Sequence, residues 1–422
     1  MKFVLASYGT RGDVEPFVAV GRDLLRRGHH VRMAVSPDQV GFAEAAGLAA
    51  VAYGPDPRQW QDVHREFLTR LFSKFWRVRD LIRLGRQDWE LTSHCWEEMS
   101  TTLTTLAAGA DLLFTGVIDE QPGANVAESL DIPLATLHTF PTRANGHLVP
   151  NLPAPLVRSA MTVSEWMGWR VMKKLDDAQR RELGLPKAAG VSSRRMAERG
   201  SLEVQAYDEV CFPGLAAEWA KFDGRRPFVG ALTMESPTDA DDEVGSWIAA
   251  GNPPIFFGFG SIPVESAADT VAMISAACAE LGERALVCSG WSDFSDVLNS
   301  EHIKVVSAVN YEAIFPSCRA VVHHGGAGTT AIGLRAGVPT LILWTLADQS
   351  FRGAQVKQLK VGTARRFTTT TPESLVADLR EILNPQYATR AREIATRMTE
   401  PAASVAQTVD LLENFARFKR VG

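Results

Sequence analysis

The amino-acid sequence predicts an α/β protein made of two doubly wound, Rossmann-like domains that face each other across a cleft. Two features favour this fold: short apolar strand candidates alternate with amphipathic helical segments, and the same alternation starts again after residue 228. At 422 residues the chain is long enough for two domains of ordinary size. Because open α/β sheets bind ligands at the carboxyl ends of their strands, a cleft between two such ends is the expected site.

The first domain is predicted to span residues 1–214. A helix that carries Phe17, Val20 and Leu24 on one face follows the first strand and ends near Gly28. The other helical stretches separate most of the remaining strands, which predicts parallel pairing through right-handed crossovers. The strand candidates of this domain are residues 3–7, 31–35, 50–53, 111–115, 133–137 and 204–207.

The second domain is predicted to span residues 228–401. The preceding residues 215–227 combine Gly, Pro and clustered charge, which is typical of an interdomain linker. Val405, Val409 and Leu412 have helical spacing and predict a final helix over residues 402–422. The strand candidates are residues 255–260, 285–288, 303–306, 320–323 and 340–344, and the helices between them include 267–281 and 329–336.

Composition and charge exclude several classes of protein. The chain has 44 basic and 49 acidic residues and a net charge of −5, whereas nucleic-acid-binding proteins normally have a basic excess. No apolar stretch is long enough to cross a bilayer, and the first residues do not form a signal peptide. Five cysteines without a CxxC pair indicate reduced thiols rather than disulfides or a zinc site. We therefore expect a cytoplasmic protein with no nucleic-acid partner.

Residues 58–86 interrupt the alternation with a basic and aromatic segment. Eight Lys and Arg side chains lie among apolar residues such as Trp60 and Trp76, against only three carboxylates. One interpretation is a pair of amphipathic helices with a core-facing stripe and a solvated basic face. The alternative is a peripheral contact with an anionic or lipidic partner at the inner face of the membrane.

A glycine-rich segment, His323-His324-Gly325-Gly326-Ala327-Gly328-Thr329-Thr330, follows a buried strand and opens a helix. Glycines let backbone amides approach an anion closely, and a helix N-terminus adds unpaired N–H donors. The segment lacks a Walker lysine and the Rossmann glycine spacing, so we expect it to hold a diphosphate. The alternative is a glycine turn that only packs the helix on the strand. The next loop favours the binding role, because it brings the carboxylate of Asp348 and the amide of Gln349 to the same edge.

Asp13 lies on the loop after the first strand and faces the predicted cleft. A carboxylate in such a position can act as a general base if partial desolvation raises its proton affinity. The alternative role is that of a helix N-cap, since Glu15 and Pro16 follow it at positions that suit a helix start.

Three motifs together resemble a known family: HHGGAGTT at 323–330, ADQ at 347–349 and YGTRGDVEP at 8–16. They are similar to the inverting GT-B glycosyltransferases that decorate antibiotics, sterols and lipids, a group related to the vancomycin-type enzymes. The resemblance covers the whole chain, and in the middle and C-terminal half it is closest to mycobacterial enzymes of the glycopeptidolipid type. In such folds the last helix crosses back onto the first domain, which implies that role for residues 402–422.

The resemblance also implies a role for each matching residue. Asp13 is the implied general base, directly rather than through a histidine, because its loop contains none. His138 ends a strand of the first domain and is a candidate acceptor contact, with a purely structural histidine as the alternative. The implied donor-diphosphate residues are His324, Gly326, Gly328, Thr329, Thr330 and Ser261. The implied donor-sugar residues are Asp348 and Gln349, and the implied donor-base residues are Ser289 and Trp291. From their places in the first domain, we predict Gly12, His138 and Trp76 as acceptor residues.

The sequence predicts no metal and no cofactor beyond a nucleotide-diphosphate sugar as co-substrate. Asp239-Ala240-Asp241 matches the metal-binding DxD pattern, but it lies in an acidic run away from the donor loops and is interpreted as solvated charge. The predicted reaction transfers a hexose or deoxyhexose from a UDP- or dTDP-sugar to a hydroxyl of a lipid, lipopeptide or other natural product. A nucleotide-sugar epimerase and a non-catalytic nucleotide-sugar-binding protein remain as alternatives. A Rossmann oxidoreductase is disfavoured by the missing dinucleotide fingerprint.

Overall fold

Two parallel six-stranded sheets, each covered by helices, organise the chain in the computed structural model. The structure describes residues 1–56, 78–150, 152–222, 224–258, 260, 266–290 and 302–418. The strand orders are β3-β2-β1-β4-β5-β6 and β12-β11-β10-β7-β8-β9, which are the same order in the two halves of the chain. The predicted pair of Rossmann-like domains is confirmed.

The first sheet is entirely parallel, with Phe3 of its central strand paired to Val31 on one side and to Leu112 on the other. Its strands are Lys2–Ser7 (β1), His30–Val35 (β2), Ala49–Ala52 (β3), Leu112–Gly116 (β4), Leu134–His138 (β5) and Leu202–Gln205 (β6). The helices of this half are Arg11–Arg26 (α1), Val40–Ala45 (α2), Val78–Ala107 (α3), Glu120–Ser129 (α4), Ala154–Glu182 (α5), Ser192–Glu198 (α6) and Leu215–Trp219 (α7).

The second sheet repeats the arrangement, with Val322 of β10 paired to both Phe257 and Leu341. Its strands are Ile255–Gly258 (β7), Ala285–Cys288 (β8), Ile303–Val306 (β9), Ala320–His323 (β10), Thr340–Trp344 (β11) and Gly362–Arg366 (β12). The helices are Asp241–Ala249 (α8), Ala267–Leu281 (α9), Tyr311–Ile314 (α10), Ala327–Arg335 (α11), Ala347–Leu359 (α12), Pro372–Ile382 (α13), Pro385–Ala395 (α14) and Pro401–Phe418 (α15).

One strand of the second sheet has no counterpart among the predicted strands. β12 lies at the sheet edge and reads Gly-Thr-Ala-Arg-Arg, with the Arg365 and Arg366 side chains at its carboxyl end. Such a strand lacks the apolar run by which buried strands are recognised, because one of its edges has no neighbour to pack against. All the other strands fall at their predicted places, within a few residues at the ends.

The segment predicted as a linker, residues 215–227, is more ordered than its composition suggests. It contains α7, and Leu215 and Trp219 are buried there. The Trp219 ring stacks on Phe228 at 6.0 Å, and the Arg226 guanidinium lies 4.9 Å from the centre of the same ring. The described part of this segment therefore forms a packed connection between the two sheets.

Two apolar clusters join the halves of the chain. The core of the first domain includes Val409, Leu412 and Ala416 of α15, so the last helix packs against α1 as the resemblance implies. A second cluster combines first-domain residues such as Phe212 with second-domain residues such as Ile342. Shared apolar burial of this kind fixes the relative position of the domains at the base of the cleft.

All five cysteines are buried and unpaired. Within the described ranges, no helix combines the length and the apolar character that crossing a bilayer requires.

Candidate active site

The site lies at the switch points of the two sheets. In each sheet the first strand in sequence pairs with the fourth, β1 with β4 and β7 with β10. The crevice beyond the carboxyl ends of such a strand pair is where open α/β sheets bind their ligands. Asp13 follows β1 and His324 follows β10, so the candidate residues of both motifs lie at these positions.

Asp13 is the third residue of α1, whose N-cap is Thr10. Its Oδ2 accepts hydrogen bonds from the Thr10 backbone N–H at 2.8 Å and from the Thr10 hydroxyl at 3.0 Å. The predicted N-cap position is therefore wrong, because the helix begins earlier and Asp13 reaches back to cap it. Among the described residues, none hydrogen-bonds to Oδ1, and the side chain is exposed toward the cleft.

Gly9 makes room for this carboxylate. Its φ is +141°, and a Cβ at this position would overlap Asp13 Oδ2. A glycine is thus required both by the backbone conformation and by the close approach of the side chain.

The surroundings of Asp13 raise its pKa above that of an ordinary carboxyl group. The main cause is loss of hydration at the bottom of the cleft, although one side of the group still faces the opening. The hydrogen bonds from Thr10 lower the pKa, the charge of Asp348 raises it, and the charge of Arg352 lowers it. Because Asp348 and Arg352 belong to the second domain, Asp13 lies within electrostatic reach of the donor side of the cleft.

His324 is held between two glycines next to the N-terminus of α11. A Cβ at Gly260 or at Gly326 would lie 2.5 Å or 2.8 Å from the imidazole ring, so only glycine leaves space for the ring on both sides. Gly326 is the N-cap of α11 and brings no side-chain acceptor to the first backbone N–H groups. These N–H groups, together with the helix dipole, form a ready site for an anion.

Both histidines of the glycine-rich segment are neutral at pH 7. Burial lowers the pKa of His324 to about 4, with Arg352 acting in the same direction and Asp348 against it. Its Nδ1 is buried without a hydrogen-bond partner among the described residues. His323 Nδ1 accepts the Gly325 N–H at 3.0 Å, and burial lowers the pKa of His323 to about 3. The loop therefore offers an anion a neutral imidazole whose proton affinity an added negative charge would increase.

Asp348 is bound to an arginine that sequence reasoning did not identify. Its Oδ2 accepts a hydrogen bond from an Nη of Arg352 at 2.9 Å, and the same nitrogen donates to the Gly325 carbonyl at 3.2 Å. The Arg352 guanidinium is buried and lies 5.7 Å from the ring centre of Phe140, which follows β5 in the first domain. Arg352 thus connects the glycine-rich segment, the predicted sugar-binding carboxylate and the opposite domain. The four-residue spacing from Asp348 on one helix is the signal that could have found it.

Two predicted ligand residues use their polar atoms within the protein. The Thr330 hydroxyl donates to the Gly326 carbonyl at 2.7 Å and is buried, so it is not available to a diphosphate. The Gln349 side-chain oxygen accepts the backbone N–H of Thr345 and of Leu346 at 2.9 and 3.0 Å. Gln349 therefore caps the N-terminus of α12. The amide nitrogen of Gln349 would then be the atom available for the predicted hydrogen bond to a sugar.

His138 lies inside the first domain rather than at the surface of the cleft. It is fully buried, and its Nε2 is 3.1 Å from Glu120 Oε2. Glu120 is also bound by Arg143, whose guanidinium reaches Glu203 as well. This arrangement corresponds to the structural interpretation of His138 and not to an acceptor contact.

Four of the other predicted site residues lie within the described ranges. Gly12 lies exposed beside Asp13, whereas Gly328 and Thr329 lie partly exposed in the first turn of α11. Ser289 is buried directly after β8, and its N–H donates to the Val306 carbonyl at 2.9 Å. The predicted residues Ser261, Trp291 and Trp76 lie outside the described residues.

A second carboxyl group supports the loop of Asp13. Asp119, which follows β4, is fully buried, and its Oδ2 accepts the Tyr8 N–H at 3.1 Å. Burial raises its pKa well above the usual range; the Tyr8 hydrogen bond lowers it, and Asp13 and Glu120 raise it further. The surroundings of Asp119 therefore favour its neutral form, which reduces the negative charge that Asp13 faces on this side.

The DxD pattern has a structural role that the prediction of solvated charge did not include. The Asp241 carboxylate accepts the Thr238 hydroxyl at 2.7 Å and the Asn310 N–H at 2.8 Å, and it stands at the start of α8. In the described part of the chain, no group of three or more His, Cys, Asp and Glu side chains has the arrangement of a metal site.

An exposed carboxylate on one Rossmann-like domain, with a candidate anion site and an Asp–Arg pair on the other, suits an enzyme that acts on a phosphorylated donor. The comparisons with known proteins agree with this class. Residues 3–98 match the glycosyltransferase family 28 N-terminal domain, and residues 291–413 match the C-terminal domain of erythromycin biosynthesis protein CIII-like proteins. The chain belongs to this family of glycosyltransferases, enzymes that use nucleotide-sugar donors.

The similar proteins extend over the whole chain. A Mycobacterium tuberculosis protein named uncharacterized glycosyltransferase is 62% identical over 422 residues, which is 100% of both chains. A Mycobacterium leprae protein of the same description is 56% identical and covers 99% of this chain and 97% of its own. A sterol 3-beta-glucosyltransferase of Arabidopsis thaliana is 28% identical over 97% of this chain and 67% of its own. Among solved structures, the glycosyltransferase VinC in complex with dTDP has a TM-score of 0.66 at 18% identity, over 99% of this chain and 100% of its own, which shows the GT-B fold.

Proposed function

We propose that this glycosyltransferase inverts the anomeric centre in a single displacement, with Asp13 as the general base. An acceptor hydroxyl would lose its proton to Asp13 while its oxygen bonds to the anomeric carbon. The bond from that carbon to the phosphate oxygen would break at the same time, and the nucleoside diphosphate would leave. The observation that carries the proposal is the Oδ1 of Asp13, which no described residue binds and whose raised proton affinity suits a base that faces the donor side of the cleft.

The departing diphosphate would be stabilised by the protein. The N–H groups at the start of α11 and the His324 imidazole would face its growing negative charge. Gly328 and Thr329 would contribute backbone amides, and Asp348, oriented by Arg352, would hold sugar hydroxyls. In this scheme a divalent metal is not required, and we expect full turnover in EDTA. Loss of turnover in EDTA that magnesium restores would contradict the scheme.

We infer an acceptor with a hydroxyl group and a large apolar part, such as a lipid or lipopeptide. Its support is the basic and aromatic composition of residues 58–86 and the relatedness to a sterol glucosyltransferase. The donor would carry uridine or thymidine, since Ser289 and Trp291 match the family positions that contact a pyrimidine. A protein acting on lipid acceptors would work in the cytoplasm at the inner face of the membrane.

The direct test begins with donor binding. Thermal-shift measurements with UDP, dTDP and purine nucleoside diphosphates should show selective stabilisation by a pyrimidine diphosphate, because a ligand at 100 times its Kd adds about 2.7 kcal/mol. The anomeric configuration of the product, measured by NMR with the matching nucleotide sugar, should be opposite to that of the donor. Retention of configuration would contradict the single displacement.

One observation favours the epimerase as a second candidate. The charge of Asp348 raises the pKa of Asp13 from the opposite side of the cleft, and an epimerase would require such acidic groups on both sides of its sugar. Isomerisation of a nucleotide sugar in the absence of any acceptor would support it. A protein that binds donors but gives no product with a broad acceptor panel would be a binding protein instead.

A further inference from the structure

The outer face of α5 is apolar where a solvent-exposed helix would normally be polar. Five large side chains on this helix are more than half exposed. On a helical wheel, four of them form one stripe and the fifth lies at its margin. These residues are Leu156, Val163, Met167 and Val171 in the stripe and Trp166 beside it.

The opposite face of the same helix is the one that packs on the protein. Val157 and Met161 join the apolar cluster between the domains, and Asp176 and Gln179 are buried near the other end. The Gln179 side chain is bound by the Trp96 indole at 3.0 Å. α5 is therefore already anchored through its inner face, so that its outer face needs a different partner.

Charge on the helix is segregated in the same way. Between residues 154 and 174, the exposed charged residues are the cations Arg170 and Lys174. The Arg170 guanidinium lies 5.9 Å from the Trp166 ring centre, at the margin of the apolar stripe. Toward the end of the helix, Asp176 is buried and Asp177 is bound by Lys173 at 2.8 Å, whereas Glu182 is exposed at the last position, beyond the apolar stripe.

From this arrangement we propose that the outer face of α5 binds the surface of an anionic lipid bilayer, with the helix lying in the interface. An apolar stripe about 22 Å long, from residue 156 to 171, with a tryptophan and cations at its margin, has the composition of interfacial helices. Trp166 would lie at the level of the headgroups, and Arg170 and Lys174 would contact lipid phosphates. The proposal adds a contact that is separate from the cleft and does not depend on the identity of the acceptor.

The test is co-sedimentation of the full chain with lipid vesicles. The wild type should sediment with phosphatidylcholine vesicles that contain roughly one third phosphatidylglycerol, and much less with pure phosphatidylcholine or at high salt. The double variants V163Q/M167Q and R170Q/K174Q should each reduce the fraction bound by about tenfold, since each removes part of the apolar or the electrostatic contribution. V51Q is the matched control, because Val51 is an exposed apolar residue far from α5 in the sheet order. It lies on β3 at one edge of the first sheet, whereas α5 lies between β5 and β6 in the chain, and β6 forms the opposite edge.

A second readout locates the contact. Bromine-labelled lipids should quench tryptophan emission, and W166F should remove most of that quenching. Unchanged thermal shifts with nucleoside diphosphates will show that the variants are folded and keep their donor site. Absence of vesicle binding by the wild type, or wild-type binding by both double variants, would overturn the proposal. Two other results would also overturn the proposal. If the wild type is a dimer and V163Q/M167Q makes it a monomer, a second copy of the chain covers this face of α5. If Trp166 is protected from acrylamide quenching in the absence of vesicles, another part of the chain covers this face.

Discussion

Replacing Asp13 with asparagine separates its catalytic role from its structural one. The side-chain oxygen of the introduced asparagine can accept the same two hydrogen bonds from Thr10 that Oδ2 accepts at 2.8 and 3.0 Å. The N-terminus of α1 is therefore preserved, while the group that faces the cleft becomes an amide that does not take up a proton. General base catalysis is typically worth about 10²- to 10⁴-fold. We expect kcat/KM of D13N to fall by about that factor, which corresponds to about 3–5 kcal/mol of transition-state stabilisation.

The same substitution should not destabilise the fold at pH 7. The pKa of Asp13 is raised in the native protein, so the stability that its neutral form contributes is present below the pKa of the unfolded chain and is lost as pH rises through the native pKa. Above its native pKa the wild-type carboxyl group is in the ionised and less favourable form, whereas the variant is always neutral. The Tm of D13N should then equal or exceed that of the wild type at pH 7, and the difference should vanish at acidic pH.

The assay combines product formation with donor binding. Initial rates with a nucleotide sugar and an acceptor give kcat/KM, whose acidic limb in the wild type should lie above the range of an ordinary carboxyl group. E15Q is the matched control, because Glu15 also has a raised pKa on α1, but its Oε1 accepts the Met234 N–H at 3.2 Å. Full transfer activity in D13N, or a loss of activity in E15Q as large as that in D13N, would refute the assignment of Asp13 as the base.

Three further predictions concern the donor side. G326A places a Cβ 2.8 Å from the His324 ring, so the ring must move. Isothermal titration should then show the affinity for nucleoside diphosphates reduced by roughly tenfold or more. Wild-type affinity in G326A would contradict a binding role for the His324 ring in this position. The pKa of His324 is about 4 without ligand, and a bound diphosphate would raise it. Binding of a nucleotide sugar at pH 5 should therefore be accompanied by proton uptake, measured as a binding enthalpy that changes with the ionisation enthalpy of the buffer. H324N should abolish this uptake. R352Q removes the cation beside Asp348 and should raise KM for the donor. Because Arg352 lowers the pKa of Asp13, R352Q should also move the acidic limb of the kcat/KM profile to higher pH, and R352K should show a smaller change in both quantities. An unchanged pH profile in R352Q would argue for a purely structural arginine.

The sequence predicted most of the fold because the relevant signal is local and repeated. Buried strands appear as apolar runs between helical segments, and this pattern located every strand except β12. That strand lies at an edge and ends in two arginines, so it does not carry the composition of a buried strand. The packing of the linker at residues 215–227 was not predicted, because Trp219 is buried by residues outside the linker, which composition does not reveal.

The site was predicted less completely because the roles of polar atoms depend on position within a turn. The hydroxyl of Thr330 and the oxygen of Gln349 are taken up by nearby backbone groups, which is a usual outcome for such side chains at helix starts. The spacing Thr10-x-x-Asp13 is a capping pattern that places the helix start correctly, and it was available in the sequence. Asp119 could not have been found in this way, because only the fold brings it under the loop of Asp13.

The packing of α15 has a consequence for how the protein is made. Val409, Leu412 and Ala416 complete an apolar core whose other members come mostly from the first half of the chain. While the polypeptide is being synthesised, that core therefore stays open until the second domain has already left the ribosome. Chimaeras that exchange donor-binding halves between relatives should keep residues 401–418 from the parent that supplies the first half, because a mismatched helix would leave that parent's core uncovered.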